Sequence, residues 1–472
     1  MSLPIMGMIL FPLCFLLWLH PERQIQLVLI GGIFPAAAAL ILGGICLQPS
    51  LVPGLAFLSY VILQKILGAR YPGQKEVMYL SGPMIFNGVW AVFGSLVMPR
   101  LFHNQVLVWP QKADAAGTQV LLAPSFGNIS QDGYLVINIV LMVLAAQYLT
   151  RNQIDMKKFY GAFVVASWMV VFICFWQLAA RMAGVPFPKE FFYSNTGWAV
   201  LDGQMAGPVP RINGSFTEPA ACATYLTGVI FSSVWLTLKG YKFRTLKPLI
   251  IGSTLALCVT TSTTGFAAVA IGMILLPFMV VATGAARLLG RLGQFAMVGA
   301  VVLGMSTLLV VTFVPQVVAG VQKVSADTAN KKDTASYKER TQADTDAMTA
   351  CLETYGLGTG WGSNRSSSLV PGLLASVGII GCIALLIFDV RLLLTAKTAL
   401  TVAPGSDYCL VIEGFIAAIL GRLIAALTSA PTIGMPDFYM MIAITIAAIA
   451  RVRMIAPSVN RNAPQSHFEI IS

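Results

Sequence analysis

Two stretches of the chain place an arginine and polar side chains directly before an apolar helix, an arrangement that can bind an anion. In the first, "RINGSFTEPAACATYLTG" (211–228), Arg211 precedes a polar turn, Thr217 is the expected helix cap, and Glu218 stands beside the helix-starting Pro219. The free amides of a first helical turn favour negative charge, and a guanidinium above them suits phosphate. We therefore predict a phosphate or diphosphate seat. The alternative is that Glu218 caps the helix and pairs with Arg211 at the surface.

The second stretch has the same design. In "LGTGWGSNRSSSLVPGLLASVGIIG" (357–381), three alternating glycines are followed by a polar segment and then by Pro371, the expected helix start. Glycines let the backbone approach a ligand closely. The alternative is a flexible glycine loop whose arginine reaches the lipid headgroups. The residues expected to contact substrate are Asn364, Arg365 and Ser366.

Two further arginines are candidates. The polar segment 335–353 has the helical spacing of a water-facing helix, with Arg340 one turn above a small-residue face, and we expect Arg340, Arg211 and Arg365 to meet at one cavity. Arg422 lies inside the apolar run 408–429, where a charge is costly and is a functional candidate by default. It either reaches the diphosphate or bonds a carbonyl in the core.

Metal, disulfide and histidine chemistry are not expected. The chain has 8 cysteines without Cys-x-x-Cys or Cys/His spacing, and its 3 histidines are scattered. We therefore expect no cofactor, and a carboxylate must take any proton that the reaction releases. Glu218 is the first choice, since Asp344 and Asp346 on the polar helix are typical of a solvated face.

The composition places these residues in a membrane protein. Hydrophobic residues make up 57% of the 472 positions and charged residues only 10%, against about 25% in soluble domains. The apolar runs are continuous rather than alternating, which predicts an all-α polytopic protein and not a β-barrel. The thirteen runs are 5–20, 24–46, 51–67, 77–98, 134–150, 159–183, 219–238, 249–261, 264–282, 294–314, 371–390, 408–429 and 438–450.

Basic clusters in alternate loops orient the chain. They account for most of the net charge of +11, so the charge reports topology rather than nucleic-acid binding. The external loops are expected at 99–133, 184–217 and 315–370. This divides the chain into 1–314 with ten spanning helices, 315–370 as a large periplasmic loop subdomain, 371–450 with three more helices, and 451–472 as a cytoplasmic tail. The run 5–20 is expected to be a retained helix.

The motifs resemble those of the O-antigen ligase and Wzy-type polysaccharide polymerase superfamily over roughly 205–440. "RINGSFTEPAACATYL" is similar to its first signature, and "TTSTTGFAAVAIGMIL" to its hairpin motif, with Thr263 where an arginine is usual. "SYKERTQADTDAM" with the glycine stretch after it resembles the large external loop and the following helix. Where family ligases carry His-Asn, this chain has Asn364-Arg365, which favours a polymerase.

The resemblance implies a GT-C-like glycosyltransferase in the bacterial inner membrane, with its active site facing the periplasm. It would polymerise undecaprenyl-diphosphate-linked oligosaccharide units into an O-antigen, capsule or exopolysaccharide, with a chain-length regulator as a possible partner. Arg211 and Arg365 with Glu218 would then be catalytic. An O-antigen ligase and a lipid-linked glycan transporter are the alternatives; the transporter would show an internal repeat and broken helices. The residues expected to bind diphosphate or glycan are Arg340, Asn364, Ser366 and Arg422.

Overall fold

The protein is an all-α membrane protein with several passes, as its composition predicts. The computed structural model describes residues 1–43, 45–110, 118–206, 209–282, 288–294, 297, 335–429 and 434–461. Within these residues, eight helices are long and apolar enough to cross a membrane, and three shorter apolar helices accompany them.

The helices are numbered here in chain order. They are α1 (Ile5–Leu16), α2 (Pro21–Gly31), α3 (Leu51–Ile66), α4 (Gln74–Leu101), α5 (Phe126–Leu149), α6 (Lys157–Ala183), α7 (Lys189–Phe192), α8 (Pro219–Lys239), α9 (Leu246–Thr260), α10 (Thr263–Ala282), α11 (Ala335–Glu353), α12 (Leu369–Val402), α13 (Asp407–Ala426) and α14 (Pro436–Arg461). Three antiparallel hairpins pair β1 (Leu40–Leu42) with β2 (Ile45–Leu47), β3 (Leu107–Val108) with β4 (Val120–Leu121), and β5 (Met205–Ala206) with β6 (Val209–Pro210). The candidate spans are α4, α5, α6, α8, α10, α12, α13 and α14.

Helix α8 forms the centre of the bundle. Nearly all of its side chains are buried, and it packs most extensively against α13 and α9. Helices α4 and α12 pack against each other and expose apolar side chains on their other faces, such as Val89 and Leu386. In a protein with this composition such faces lie against lipid, because lipid tails accept apolar side chains without cost.

The predicted spans need three corrections. The run 24–46 is not one helix, because α2 ends at Gly31 and the chain continues through Pro35 into the β1–β2 hairpin. Helix α5 starts earlier than predicted, at Phe126, where Ser125 and Asn128 form a capping box, so the loop before it is 102–125. Helix α14 continues to Arg461, so 451–461 is helical and not a tail.

Other expectations were met or lie outside the described residues. The separation of the predicted runs 249–261 and 264–282 is confirmed: α9 ends at Thr260, Thr261 has a left-handed φ of 47°, and α10 begins at Thr263. The water-facing helix predicted over 335–353 is α11. The predicted run 294–314 falls almost entirely outside the described residues, so the count of thirteen stays a prediction.

One end of the bundle, called the loop face here, carries residues 102–110, 118–125, 184–206, 209–218 and 335–368. These segments contact one another: Trp109 Nε1 donates to Asp346 of α11 at 2.9 Å, and Arg340 of α11 approaches Glu218. The tip of the α9–α10 hairpin joins them, since Ile212 N donates to the carbonyl of Val259 at 3.3 Å. The motifs that resemble the ligase and polymerase superfamily are distant in sequence, and residues from them therefore come together at this face.

Candidate functional site

The polar turn after Arg211 is buried and folds inward. Asn213 and Gly214 both donate their backbone amides to Oε1 of Gln177 in α6, at 3.1 and 2.7 Å. Gly214 has a left-handed φ of 60°, and an added Cβ would lie 3.1 Å from the sulfur of Cys174. Eight residues, 211–218, thus pass from the hairpin β5–β6 to α8 along a fixed path. Arg211 and Glu218 stand at the two ends of that path.

Arg211, Glu218 and Arg340 form a charged group, called the arginine–glutamate cluster here. Arg340 Nη2 lies 3.9 Å from Glu218 Oε2, and Arg340 Nη1 donates to Ser429 Oγ at 2.8 Å. Ser429 follows α13, so the loop helix α11 sits over the ends of α8 and α13. With two guanidiniums and one carboxylate, the cluster carries one uncompensated positive charge.

Arg211 is a half-buried member of the cluster. Burial lowers the pKa of its guanidinium, the positive charge of Arg340 lowers it further, and Glu218 opposes both effects. Its Nε is buried and has no hydrogen-bond partner within the described part of the chain. An arginine is protonated at neutral pH even so, which leaves a charged donor whose hydrogen-bonding capacity is incompletely used. An anion bound beside it would satisfy it.

The cap of α8 differs from the expected one. Glu218, not Thr217, is the N-cap residue, and its side chain makes no capping hydrogen bond. The carboxylate instead faces Arg340, with 26% of the side chain exposed. The alternative of a plain capping glutamate is therefore not what the structure shows. Within the described residues the Glu218 carboxylate has one long ionic contact and lone pairs to spare.

The start of α12 does not offer a free anion seat. Asp344 of α11 occupies it: Oδ1 accepts the amides of Ser367 and Ser368 at 2.8 and 3.0 Å, and Oδ2 accepts the Ser368 hydroxyl at 2.7 Å. The expectation that Asp344 belongs to a solvated face was wrong, because its carboxylate takes the place predicted for a phosphate. It also joins α11 to α12. Ser366 donates its hydroxyl to Ser368 O and does not take part.

Trp109, which lies in the segment after α4, forms hydrogen bonds with the next two predicted residues, Asn364 and Arg365. Its amide donates to Asn364 Oδ1 at 2.8 Å, and its carbonyl accepts the Arg365 amide at 2.7 Å. Its indole bonds Asp346, whose other oxygen accepts Gln342 Nε2 at 2.7 Å, so Asp346 is not a solvated group either. The backbone at Asn364 and Arg365 is thereby fixed against a loop more than 250 positions earlier.

The glycines of the second stretch approach protein and not open space. A Cβ on Gly360 would lie 2.7 Å from the carbonyl of Gly94 in α4, and one on Gly358 would lie 2.8 Å from the amide of Gly378 in α12. All of them have positive φ. The close approach predicted for a ligand is thus made to neighbouring helices. The loop these glycines form fills a break in α12.

Beside this loop lies a cavity of about 200 Å³. It contains all three residues predicted from the second stretch, Asn364, Arg365 and Ser366, and Arg365 is the one charged residue among those lining it. Pockets for drug-sized ligands are usually about 300–1,000 Å³, so this one suits a single polar ring. The other polar and aromatic residues that line it include Gln48, Gln131, Tyr134, Asn138, Trp198 and Trp361.

Two cavity residues have unused hydrogen-bonding atoms. Trp361 Nε1 and Asn138 Oδ1 are buried and without partners within the described residues, although Asn138 Nδ2 donates to Gly434 O at 3.0 Å. One is a donor and the other an acceptor. A sugar hydroxyl can serve both kinds of partner, and sugar rings offer apolar faces to indoles. The lining is therefore chemically suited to a neutral sugar.

Of the three arginines expected at one cavity, Arg365 lines it, whereas Arg211 and Arg340 are not among its lining residues. Contacts nevertheless lead from Arg365 toward Arg340 and Glu218. Arg365 Nη2 lies 3.9 Å from Glu339 Oε1, and Glu339 is the neighbour of Arg340 on α11. The Arg365–Glu339 pair is largely exposed and contributes little to stability. The arginine–glutamate cluster and the cavity are accordingly neighbours, joined through the first turns of α11.

Arg422 lies apart from this group. Its Nη1 bonds Asp437 Oδ2 at 2.6 Å, both side chains are almost fully buried, and the guanidinium stacks 5.5 Å above the ring centre of Tyr225. None of its recorded contacts is to Arg211, Arg340 or Arg365. Of the two roles considered, the structure supplies a core partner, and that partner is a carboxylate rather than a carbonyl.

Sequence reasoning missed several of these residues. Asp437 follows Pro436 at the start of α14. An acidic residue at the start of a helix is the sequence feature that could have identified it. Trp361 stands inside the quoted glycine stretch and was passed over in favour of its polar neighbours. Trp198 and Gln48 carried no local signal, because they come from other segments of the chain.

No protein-family model matches the chain, and a search of curated proteins finds no similar sequence. Function is therefore inferred from the geometry of the loop face.

Proposed function

We propose that the protein is a membrane glycosyltransferase of the GT-C kind that polymerises undecaprenyl-diphosphate-linked oligosaccharide units. The proposal includes a bacterial inner-membrane location, a periplasmic loop face and about thirteen spanning helices. The observation that carries it is the adjacency of two chemically different places. The positively charged arginine–glutamate cluster suits a diphosphate, and the cavity with indoles and amides suits a sugar.

The arginine–glutamate cluster and the cavity have different roles in the proposed reaction. An acceptor hydroxyl attacks the anomeric carbon of the donor, a new C–O bond forms, and the bond from that carbon to the diphosphate oxygen breaks. Undecaprenyl diphosphate leaves with the electron pair. Arg211 and Arg340 stabilise the charge that develops on it, and Arg365 lies beside the sugar. The hydroxyl proton passes to Glu218, whose carboxylate is exposed at the cluster.

The break in α12 bears on the transporter alternative. Transporters use broken helices whose freed carbonyls coordinate ions. Here the freed carbonyls of Ala375 and Ser376 accept the amides of Thr359 and Gly360 at 2.6 and 3.1 Å, and Val377 O accepts Trp90 Nε1 at 2.8 Å. Because protein donors satisfy these carbonyls, the break fits a rigid scaffold better than an ion pathway.

Reconstitution tests the proposal. The purified chain in proteoliposomes receives undecaprenyl-diphosphate-linked repeat units of its host and no other acceptor. A ladder of polymer lengths on a gel, at least tenfold weaker with Arg340→Ala, supports polymerisation. Product that appears only after a separate lipid acceptor is added indicates the ligase. If the lipid-linked units change sides of the membrane without any glycosidic bond being formed, the protein is a transporter and the proposal fails.

A further inference from the structure

A second cavity lies at the opposite end of the bundle from the loop face, between α4, α12 and α14. Its volume is about 460 Å³. It is lined by Tyr79 of α4, by Arg453 of α14 and, on α12, by Leu394, Thr395, Thr398 and Val402. No residue of the loop-face site takes part in it, so it needs an explanation of its own.

Arg453 lines this cavity, and Arg391 lies next to the lining, where it contacts Tyr79. Arg391 and Arg453 lie 4.6 and 5.8 Å from the ring centre of Tyr79, and Arg391 Nη1 also donates to Tyr79 O at 2.7 Å. Arg453 Nη1 pairs with Glu76 Oε2 at 2.8 Å. Two cations against one carboxylate leave one positive charge for a ligand.

Helical spacing shows which charges lie on the same side of α12 as the lining residues Thr395, Thr398 and Val402. Arg391, Thr395, Thr398 and Val402 follow one another at intervals of three or four residues, so they share one side of α12. Lys397 lies two residues past Thr395, on a different side. It is exposed and outside the cavity lining, and it provides a matched cation for comparison.

The cavity continues into an apolar, lipid-facing surface. The side chains of Leu394 and Val402 are 62% and 42% exposed in a helix that is otherwise hydrophobic enough to span a membrane. A soluble anion makes no favourable contact with an apolar, lipid-facing surface. A phospholipid does, because its phosphate binds cations while its acyl chains pack against apolar side chains.

We propose that this cavity holds one anionic glycerophospholipid, with its phosphate between Arg391 and Arg453 and its acyl chains along α12. A zwitterionic lipid has the same phosphate, but its ammonium group adds a third cation beside the two guanidiniums. The site therefore selects headgroups that carry net negative charge. This proposal does not depend on the glycosyltransferase activity.

Native mass spectrometry of the delipidated full-length protein tests it. The probes are phosphatidylglycerol, phosphatidylcholine of the same chain length, and inorganic phosphate. We expect about tenfold preference for phosphatidylglycerol over phosphatidylcholine, which corresponds to about 1.4 kcal/mol. Equal retention of the two lipids overturns the proposal. Inorganic phosphate that displaces phosphatidylglycerol at equal concentration also overturns it, because the site then binds phosphate and not lipid.

Three variants locate the binding. Arg391→Ala combined with Arg453→Ala should abolish the preference, and Lys397→Ala should leave it unchanged. Thr398→Phe fills the cavity without changing any charge and should displace the lipid even if the double variant folds poorly; gel filtration and thermal melting monitor folding. A preference that survives Thr398→Phe, or that falls equally in Lys397→Ala, contradicts a defined site and indicates diffuse attraction.

Discussion

Glu218 differs from Asp344 and Asp346 in what its oxygens contact. Asp344 accepts three hydrogen bonds and Asp346 accepts two side-chain donors, whereas Glu218 has a single ionic contact at 3.9 Å. A general base must keep a lone pair available for the incoming proton. The two aspartates use their oxygens to join structural elements. Glu218 is therefore the residue to test first.

Glu218→Gln should lower the polymerisation rate by about 10²–10⁴-fold, the usual contribution of a general base. The change also removes the only negative charge of the arginine–glutamate cluster, so binding of the anionic lipid-linked substrate should be unchanged or tighter. Initial polymerisation rates and substrate binding measured on the same preparation check both effects. Glu339→Gln is the control and should retain activity, because Glu339 is exposed and only weakly paired. Near wild-type rates in Glu218→Gln would make Glu218 a structural residue.

Arg340→Ala should reduce activity at least tenfold, since one charge-assisted contact contributes about 1.5–3 kcal/mol and about 1.4 kcal/mol equals a factor of ten. Arg340→Lys should recover part of the lost activity, because lysine restores the positive charge but not the planar guanidinium with its paired donors. Lys338→Ala, an exposed cation two positions earlier on α11, serves as the control. The assay is polymer formation in proteoliposomes. Equal losses in the Lys338 and Arg340 variants would indicate general electrostatic attraction instead of a specific contact.

At the scale of elements, α12 and the glycine loop form one unit. Gly378 has φ of 65° and interrupts the helix, and the loop amides of Thr359 and Gly360 replace the missing helical donors. Ile379 N completes the arrangement by donating to Gly356 O at 2.8 Å. The break therefore positions the loop that carries Asn364 and Arg365.

Gly378→Ala should destabilise the protein and impair activity together. An added Cβ would clash with the carbonyl oxygens of both Gly356 and Leu357, and the combination of φ 65° and ψ −170° is essentially restricted to glycine and costs about 1–3 kcal/mol for a residue with a side chain. Gly133→Ala in α5, where nothing lies within 4 Å, should be tolerated. Thermal unfolding of the two variants in detergent measures the difference. Equal melting temperatures would mean that the loop can move away at little cost.

Asp344→Ala should detach α11 from the start of α12. It removes an acceptor of three hydrogen bonds, and losing a cap or a charged hydrogen bond costs about 1–3 kcal/mol. Trypsin should then cut more rapidly after Lys338 and Arg340, while Thr345→Ala, on the exposed side of the same helix, should leave the cleavage rate unchanged. Unaltered digestion of the Asp344 variant would show that packing alone holds α11.

At the scale of the whole molecule, orientation is the property to establish, and Cys351 is a poor reporter of it. Its side chain is 5% exposed, and burial raises the pKa of its thiol, so little reactive thiolate forms at neutral pH. Lys338→Cys on α11 and Lys242→Cys in the loop between α8 and α9 provide exposed positions at opposite ends. We expect a membrane-impermeant maleimide to label Lys338→Cys in intact cells, and Lys242→Cys only after permeabilisation. The reverse pattern would place the loop face in the cytoplasm.

Local sequence was sufficient for the class of protein, for the helix over 335–353 and for the break at Thr261. Hydropathy and turn chemistry act over a few residues, so they can be read without knowing the fold. The same local reading selected Arg211, Glu218 and Arg340 as candidate site residues, and that selection stays a prediction. Local reading failed for 24–46, where hydropathy indicated burial but did not distinguish a spanning helix from a short helix followed by a hairpin.

The tertiary structure decided which partners those residues have. Asp344, not a phosphate, accepts the amides at the start of α12; Asp437 neutralises Arg422; and the glycines approach α4 and α12. Each of these contacts joins segments whose separation is set by the loops and helices between them. A helix N-terminus attracts any nearby negative charge, and sequence alone cannot tell whether the chain supplies that charge itself. The anion chemistry was visible from the sequence, whereas the places left for a substrate, the arginine–glutamate cluster and the neighbouring cavity, emerged only from packing.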